Sequence, residues 1–298
     1  VTDTTTAPRS KGASLAIVTG LYVVAIAAAA AWLYLGPDTA YLWLDALIAD
    51  LVATAVVFAG SRIVHNSSCY DAYWSVIPPL LAVYWWLERD PGADGVRFAL
   101  LSVVLWLWAI RLTANWVYAW PGLHHEDWRY PMLREKNPKA EMAVDLMGIH
   151  VFPTVQVFAA MLPVYAVTRS ERAWGWLDLV ALVVGVGAVA LQLVADTQQH
   201  RFARTKKPGE SLVTGLWAWS RHPNYLGEIL MWVSLLLFGL SALPGQWWWQ
   251  VIGVVGMVAM FLGASIPMME KRSLERRPGY QDVIDSVPML LPRPPRRS

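Results

Sequence analysis

Long apolar stretches recur along this chain, each about as long as a membrane is thick, and no other feature limits the fold so strongly. A bilayer core needs about 20 predominantly apolar residues per helix. Eight segments meet or approach that length: 15–35, 41–60, 72–87, 96–120, 143–167, 174–195, 225–243 and 247–267. The third is the shortest and carries Pro78 and Pro79. Those prolines free carbonyls, which a membrane tolerates only where protein or a cavity covers the backbone. The first is too long for a cleaved signal and lacks the small-residue cleavage pattern. Charged residues make up 15% of the chain and hydrophobic ones 56%, whereas soluble domains carry roughly 25% charged residues. A disordered chain, a collagen-like chain and a basic nucleic-acid module are excluded. Cys69 is the single cysteine, which excludes an internal disulfide and any multi-cysteine zinc or iron–sulfur site. The expectation is an all-α, polytopic integral membrane bundle of about eight transmembrane helices.

The net charge of +2 hides an asymmetry. With a cytoplasmic N-terminus, the inner segments are 1–14, 61–71, 121–142, 196–224 and the tail from residue 268. They hold nineteen of the 24 lysines and arginines, and the outer loops hold Arg89, Arg97, Arg169 and Arg172. This bias places both termini in the cytoplasm. The inner loops also lengthen toward the C-terminus, and long loops in compact proteins usually carry function.

Polar residues within or beside the spans are expensive unless partnered. Arg111 and Asn115 lie four apart and share one helix face. The arginine either snorkels to the surface or contacts an anion or cofactor inside the bundle. Gln192, Asp196 and Gln199/His200 form a stripe on an exiting helix, followed by Arg201, Arg204, Lys206 and Lys207, a Pro208-Gly209 turn and an amphipathic segment over 212–219. These cations suit a phosphate-bearing ligand or a lipid headgroup patch. The densest signal is Ser220-Arg221-His222-Pro223-Asn224-Tyr225-Leu226-Gly227-Glu228. Pro223 suits the first turn of a helix, and Glu228 then falls one turn inside it, on the face of Asn224 and Tyr225. A capped helix start beside headgroups is the plain alternative, but it leaves a carboxylate facing lipid at high cost. Gly185-Val-Gly187 lacks a preceding strand and reads as helix packing. His124-His125-Glu126-Asp127 lacks the helical histidine spacing of a zinc hydrolase and reads as a solvated loop. No metal site is expected. Trp247-Trp248-Trp249 reads as an interfacial aromatic belt.

The 220–228 segment and the later Pro267-Met-Met-Glu270-Lys-Arg272 and Arg277-Pro-Gly-Tyr280 elements resemble the C-terminal domain of steroid 5-alpha-reductase-type membrane enzymes, and most closely their bacterial branch. Tyr70-Asp71-Ala72-Tyr73-Trp74, the Arg111 helix and Glu126-Asp127-Trp128-Arg129-Tyr130 carry the resemblance upstream, over roughly residues 60–292. Together with the charge bias, it gives a cytoplasmic arm over 1–14, N-terminal transmembrane helices over 15–60, a reductase-like membrane domain over 61–292 and a basic tail over 293–298. It further implies bound NADPH and reduction of a carbon–carbon double bond conjugated to a carbonyl. By that resemblance Asn224 and Glu228 contact the nicotinamide end, with Gln192 and Asp196 nearby. Arg111 and Arg129, and Arg204 or Lys206, contact phosphates; Asn115 shares the Arg111 face. Ser220, Arg221, His222 and Tyr225 belong to the same wall, and Glu270, Arg272 and Tyr280 to a segment that closes over the cofactor.

Two features depart from the steroid reductases. Their early-helix Gln-Glu pair is missing, and Trp108 stands where they carry a substrate-facing tyrosine. Hydride addition to an enone leaves an enolate that needs a donor, and Asp71 or Tyr73 is the candidate acid. A lipophilic substrate entering from membrane lipid is expected, with no nucleic acid and no obligate protein partner. The expected location is the bacterial inner membrane, with the site facing the cytoplasm. The rival is an S-adenosylmethionine-dependent membrane methyltransferase of the isoprenylcysteine carboxyl type. It shares a related turn but has no phosphates to engage so many cations.

Overall fold

The computed structural model describes residues 9–294. Residues 1–8 of the expected arm and 295–298 of the basic tail lie outside the described residues. Among the described residues every regular element is helical. The α-helices are α1 (Lys11–Leu35), α2 (Leu42–Ile63), α3 (Tyr73–Leu87), α4 (Gly95–Ala119), α5 (Arg129–Lys136), α6 (Glu141–Ala143), α7 (Phe152–Thr168), α8 (Trp176–Thr205), α9 (Pro223–Ala242), α10 (Trp247–Met260), α11 (Ile266–Arg276) and α12 (Tyr280–Ser286). Pi-helical stretches at Val144–Val151 and Phe261–Ser265 lead into α7 and α11.

Seven helical runs among the described residues are long and apolar enough to cross a membrane: α1, α2, α4, Pro138–Thr168, α8, α9 and Pro244–Arg276. The protein is an integral membrane helical bundle. The eighth expected span is α3, which has only 15 residues. At 1.5 Å per residue it rises about 22 Å, short of a hydrocarbon core of about 30 Å. The 3-10 turn Ser67–Tyr70 precedes it, and both prolines lie inside it.

Helix starts follow the local chemistry. Ser10 caps α1 by accepting from the Ala13 N–H at 3.2 Å. Pro223 opens α9 as its first residue, where its missing N–H costs nothing. The amphipathic segment expected over 212–219 is largely a 3-10 turn, Gly215–Ala218. It is tied to the end of α8 by Trp217 Nε1, which donates to the Ala195 carbonyl at 3.1 Å.

The chain divides into two compact units, residues 1–87 with 112–158, and residues 88–111 with 159–298. The divisions fall inside α4 and α7. In the first unit α1 and α2 pack around Val18, Tyr22, Ala25, Ala53 and Val57, together with Tyr70, Tyr73 and Trp120. The Tyr22 hydroxyl donates to the Cys69 carbonyl at 2.6 Å, which ties α1 to the turn before α3.

In the second unit α8 and α9 lie against each other along most of α9. A Cβ at Gly227 would come within 2.5 Å of Gln192 Cγ and 2.9 Å of the Ala188 carbonyl oxygen. One at Gly185 would come within 2.5 Å of both Ser234 and Val104. Gly185 is therefore a packing glycine, as its context indicated, whereas Gly187 faces open space. The arrangement corrects one placement. Arg97, expected in an outer loop, lies in the first turn of α4 and is fully buried.

Candidate functional site

The second unit's polar core gathers on α4, α8 and α9. Gln192 and Asp196 are four apart on α8 and so project from one face, toward the closest approach of α9. Glu228 lies on α9 and is buried. Its carboxylate accepts from Trp108 Nε1, shared between both oxygens at 3.0 Å. It also accepts from Trp232 Nε1 at 3.0 Å and from Gln192 Nε2 at 2.9 Å. Arg111 Nη2 stands 3.6 Å from Glu228 Oε2, and Arg111 Nη1 donates to Asp196 at 2.7 Å. An unpartnered carboxylate here would be prohibitively costly, and hydrogen bonds to charged groups contribute about 1.5–3 kcal/mol each. Trp108 therefore does not occupy the substrate-facing role of the reductase tyrosine. Its only donor is spent on Glu228, and its ring packs edge-on to Trp232 at 5.1 Å.

The core is incomplete in a specific way. Arg111 Nε, Gln192 Oε1 and Asn224 Oδ1 are buried and have no hydrogen-bond partner. Native proteins rarely leave such atoms unmatched, and each calls for an explanation. The three atoms amount to two acceptors and one donor, and Arg111 and Gln192 also reach Glu228. Arg169 Nε and Gln250 Oε1 are unmatched elsewhere in this unit.

Other residues of the 220–228 segment are engaged with the C-terminal segment. Arg221 Nε pairs with Glu270 at 2.7 Å, and its Nη1 donates to the carbonyls of Ile284 and Val287. The Arg221 N–H donates to the Pro288 carbonyl at 2.9 Å, and the Ser220 hydroxyl to that of Met289 at 3.4 Å. His222 Nε2 lies 3.0 Å from Glu270 Oε1, and its ring stacks on Tyr225. Burial pulls the His222 imidazole below its ordinary pKa, although Glu270 opposes the shift. Tyr280 is buried, and burial, then the nearby Glu270 charge, raises its phenol. Arg272 is half-buried on α11, and Arg204 and Lys206 are exposed at the end of α8.

The remaining candidates belong to the first unit. Asn115 is half-buried one turn beyond Arg111 on α4. Arg129 closes a two-point contact with Asp127, at 2.8 and 3.2 Å. Asp71 accepts a short hydrogen bond from the Tyr130 hydroxyl. Burial pushes its carboxyl up to about 6, although Tyr130 and Arg129 pull it down. Tyr73 donates to Asp50 Oδ1 at 2.8 Å, and sequence reasoning passed over Asp50. The only available signal was a carboxylate inside an apolar run, and its partner could not be read from spacing.

The loop expected to be solvated is tied down. Glu126 accepts from the Ser67 N–H at 2.8 Å and pairs with Arg134, and the Ser68 hydroxyl accepts from the Asp127 N–H at 2.8 Å. A cleft of about 160 Å3 beside it is lined by Ser61, Arg62, Asn66, Ser67, Arg134 and Glu141, among others. Arg62 and Arg134 are balanced there by Glu126, Glu141 and the fully buried Asp145. That balance gives the cleft no excess positive charge. Among the described residues no group of three or more His, Cys, Asp or Glu side chains is placed to hold a metal ion.

Residues 57–287 match the family described as Protein of unknown function (DUF1295). An uncharacterized protein of Schizosaccharomyces pombe (strain 972) is 28% identical over 272 residues, which cover 83% of this chain and 78% of that one. No solved structure matches.

Proposed function

The chain belongs to the DUF1295 family, and from that premise we propose a membrane-embedded reductase that uses NADPH on a lipophilic enone. The carrying observation is the set of unmatched atoms around Glu228. Gln192 Oε1 and Asn224 Oδ1 accept, and Arg111 Nε donates, which complements a primary carboxamide with its N–H2 and C=O. Nicotinamide carries that group. The motif resemblance to steroid 5-alpha-reductase-type enzymes supports the same assignment.

NADPH, when bound, supplies the hydride that adds to the carbon beta to the carbonyl. The protein's own residues orient and enclose. Glu228, fixed by two indoles and Gln192, offers a rigid acceptor to that carboxamide. Arg204 and Lys206 offer exposed cations for phosphates, and Arg129 can do so on leaving Asp127. Ser220, Arg221, His222 and Glu270 hold the turn to the C-terminal segment, so that Asn224 and Tyr225 keep a set position; Arg272 and Tyr280 belong to that segment. Asp71 or Tyr73 supplies the proton that completes the reduction. By the lysine and arginine bias the site faces the cytoplasm of a bacterial inner membrane, and the substrate arrives from lipid.

Titration of the purified protein with NADPH and with S-adenosylmethionine tests this, because Trp108 and Trp232 are built-in fluorescent reporters at Glu228. Saturable NADPH-dependent quenching is expected. Saturable binding of S-adenosylmethionine alone would overturn the reductase in favour of the methyltransferase.

A further inference from the structure

Asp50 lies inside α2, buried, in a run of apolar residues. Its side chain has one protein partner, the Tyr73 hydroxyl, which donates to Oδ1 at 2.8 Å and approaches the Asp50 carbonyl at 3.2 Å. Among the described residues no lysine or arginine pairs with it. A carboxyl group at such a position, without a counter-charge, is a functional site by default.

From Tyr73 a line of hydroxyls leads away. Thr54 Oγ1 donates to Tyr73 Oη at 3.5 Å, the longest link. Thr54 and Thr154 lie 2.9 Å apart, and Thr154 and Tyr70 2.8 Å. All four side chains are buried. Each is a hydroxyl, which can accept one proton while giving up another. Thr54 is one turn beyond Asp50 on α2, and Tyr70 lies on the 3-10 turn that follows α2, so the line runs toward the Ser61–Tyr70 end of that helix. The rings of Tyr22, against Tyr73, and of His150, against Tyr70, flank it edge-on.

We propose that Asp50 and Tyr73 form a proton store, and that Thr54, Thr154 and Tyr70 refill it. Asp50 holds its proton because its carboxyl is buried and, among the described residues, meets a neutral hydroxyl rather than a cation. When Tyr73 releases its hydroxyl proton, the Asp50 carboxyl replaces it. The deficit then passes along the line: Tyr73 returns a proton to Asp50 as Thr54 gives it one, Thr154 gives one to Thr54, Tyr70 one to Thr154, and solvent water one to Tyr70. The net change is one proton moved. Only O–H bonds break and form, and no electron is transferred. The destination of the released proton rests on the reductase reading. There, hydride addition moves the electron pair of the double bond onto the carbonyl oxygen as an enolate, and the released proton neutralises it. On this reading Tyr73 is the acid and Asp71 is not.

Infrared spectroscopy of the protein in lipid nanodiscs tests the store without any turnover. The expected result is a protonated-carboxyl band that Asp50→Asn removes, Tyr73→Phe shifts and Asp71→Asn leaves in place. On transfer to heavy water, Thr54→Val and Thr154→Val should slow deuteration of that band at least tenfold, and Thr154→Ser should restore the rate. If no band responds to Asp50→Asn or Tyr73→Phe, or if the valine variants exchange at the wild-type rate, the proposal is wrong. NADPH titration of the same samples separates the two readings. Loss of NADPH binding with an intact band removes the reductase and keeps the store, whereas normal binding with no such band does the reverse.

Discussion

Two arginines on one helix, Arg97 buried and Arg111 half-buried, end in opposite states. Arg97, in the first turn of α4, uses every nitrogen. Nε and Nη2 hold Asp178 at 2.9 and 3.2 Å, Nη1 reaches the Arg172 carbonyl at 2.6 Å, and Nη2 also reaches the Ala173 carbonyl and Ser241. Asp178 is equally complete, accepting further from Ser241 and the Gly175 N–H. Arg111, about four turns along the same helix, pairs with Asp196, stands off Glu228 and leaves Nε unmatched. Sequence treats the two as similar cations in or beside one apolar run. Their surroundings separate a clasp that is finished within the protein from a group that still has something to bind.

The largest expected effect is on the clasp. Breaking a buried ion pair from one side costs about 3–5 kcal/mol, so Arg97→Met should lower stability by that order in a reversible detergent-unfolding titration. NADPH affinity per folded molecule should stay as in the wild type. A variant as stable as the wild type would erase the distinction. Arg111→Met and Glu228→Gln also break buried partnerships, but unlike Arg97→Met they should lower NADPH affinity per folded molecule roughly 10- to 150-fold, the equivalent of about 1.5–3 kcal/mol. Unchanged titration curves in both would show that the unmatched atoms have no cofactor to meet. The scaffold beneath them is tested by Gly227→Ala, whose Cβ has no room beside Gln192 and Ala188. It should cost about 1–3 kcal/mol, while Gly187→Ala, facing open space, should stay within about 0.5 kcal/mol. Equal losses at the two glycines would mean that α8 and α9 do not approach as described.

A smaller effect belongs to the first unit, and its sign follows from Asp71. Burial raises this carboxyl from 3.8 to about 6. The folded protein therefore keeps a proton that the unfolded chain has already released. Stability should fall as pH rises from about 4 through about 6 and level off above. Asp71→Asn should flatten that slope in melting curves taken across the window; a persistent slope would assign it to another group.

How much was legible in sequence follows the range of each interaction. Gln192, Asp196 and Glu228 were found because helix periodicity alone puts them on definable faces, and Pro223 announces the start of α9. The Arg97–Asp178 clasp was not, since its partners are 81 positions apart and no local pattern pairs them. Arg221 and His222 were placed in the right segment, but their attachment to Glu270 and the carbonyls of 284–288 depends on a chain reversal that no local pattern encodes. Asp50 was missed because a single acid within an apolar run is, to a hydropathy scan, only a blemish. The third segment was legible almost to the residue, 72–87 against Tyr73–Leu87, and its shortness was visible in the same stretch of sequence.

The attachment of Arg221 to Val287 carries a consequence for biosynthesis. The two residues are 66 positions apart, and a ribosome adds about 5–20 residues per second. For roughly 3–13 s after Arg221 is made, the carbonyl that will receive it does not yet exist. Over that interval the start of α9 enters the membrane with its guanidinium paired at most to Glu270, and the turn that positions Asn224 closes only once its strap has been made.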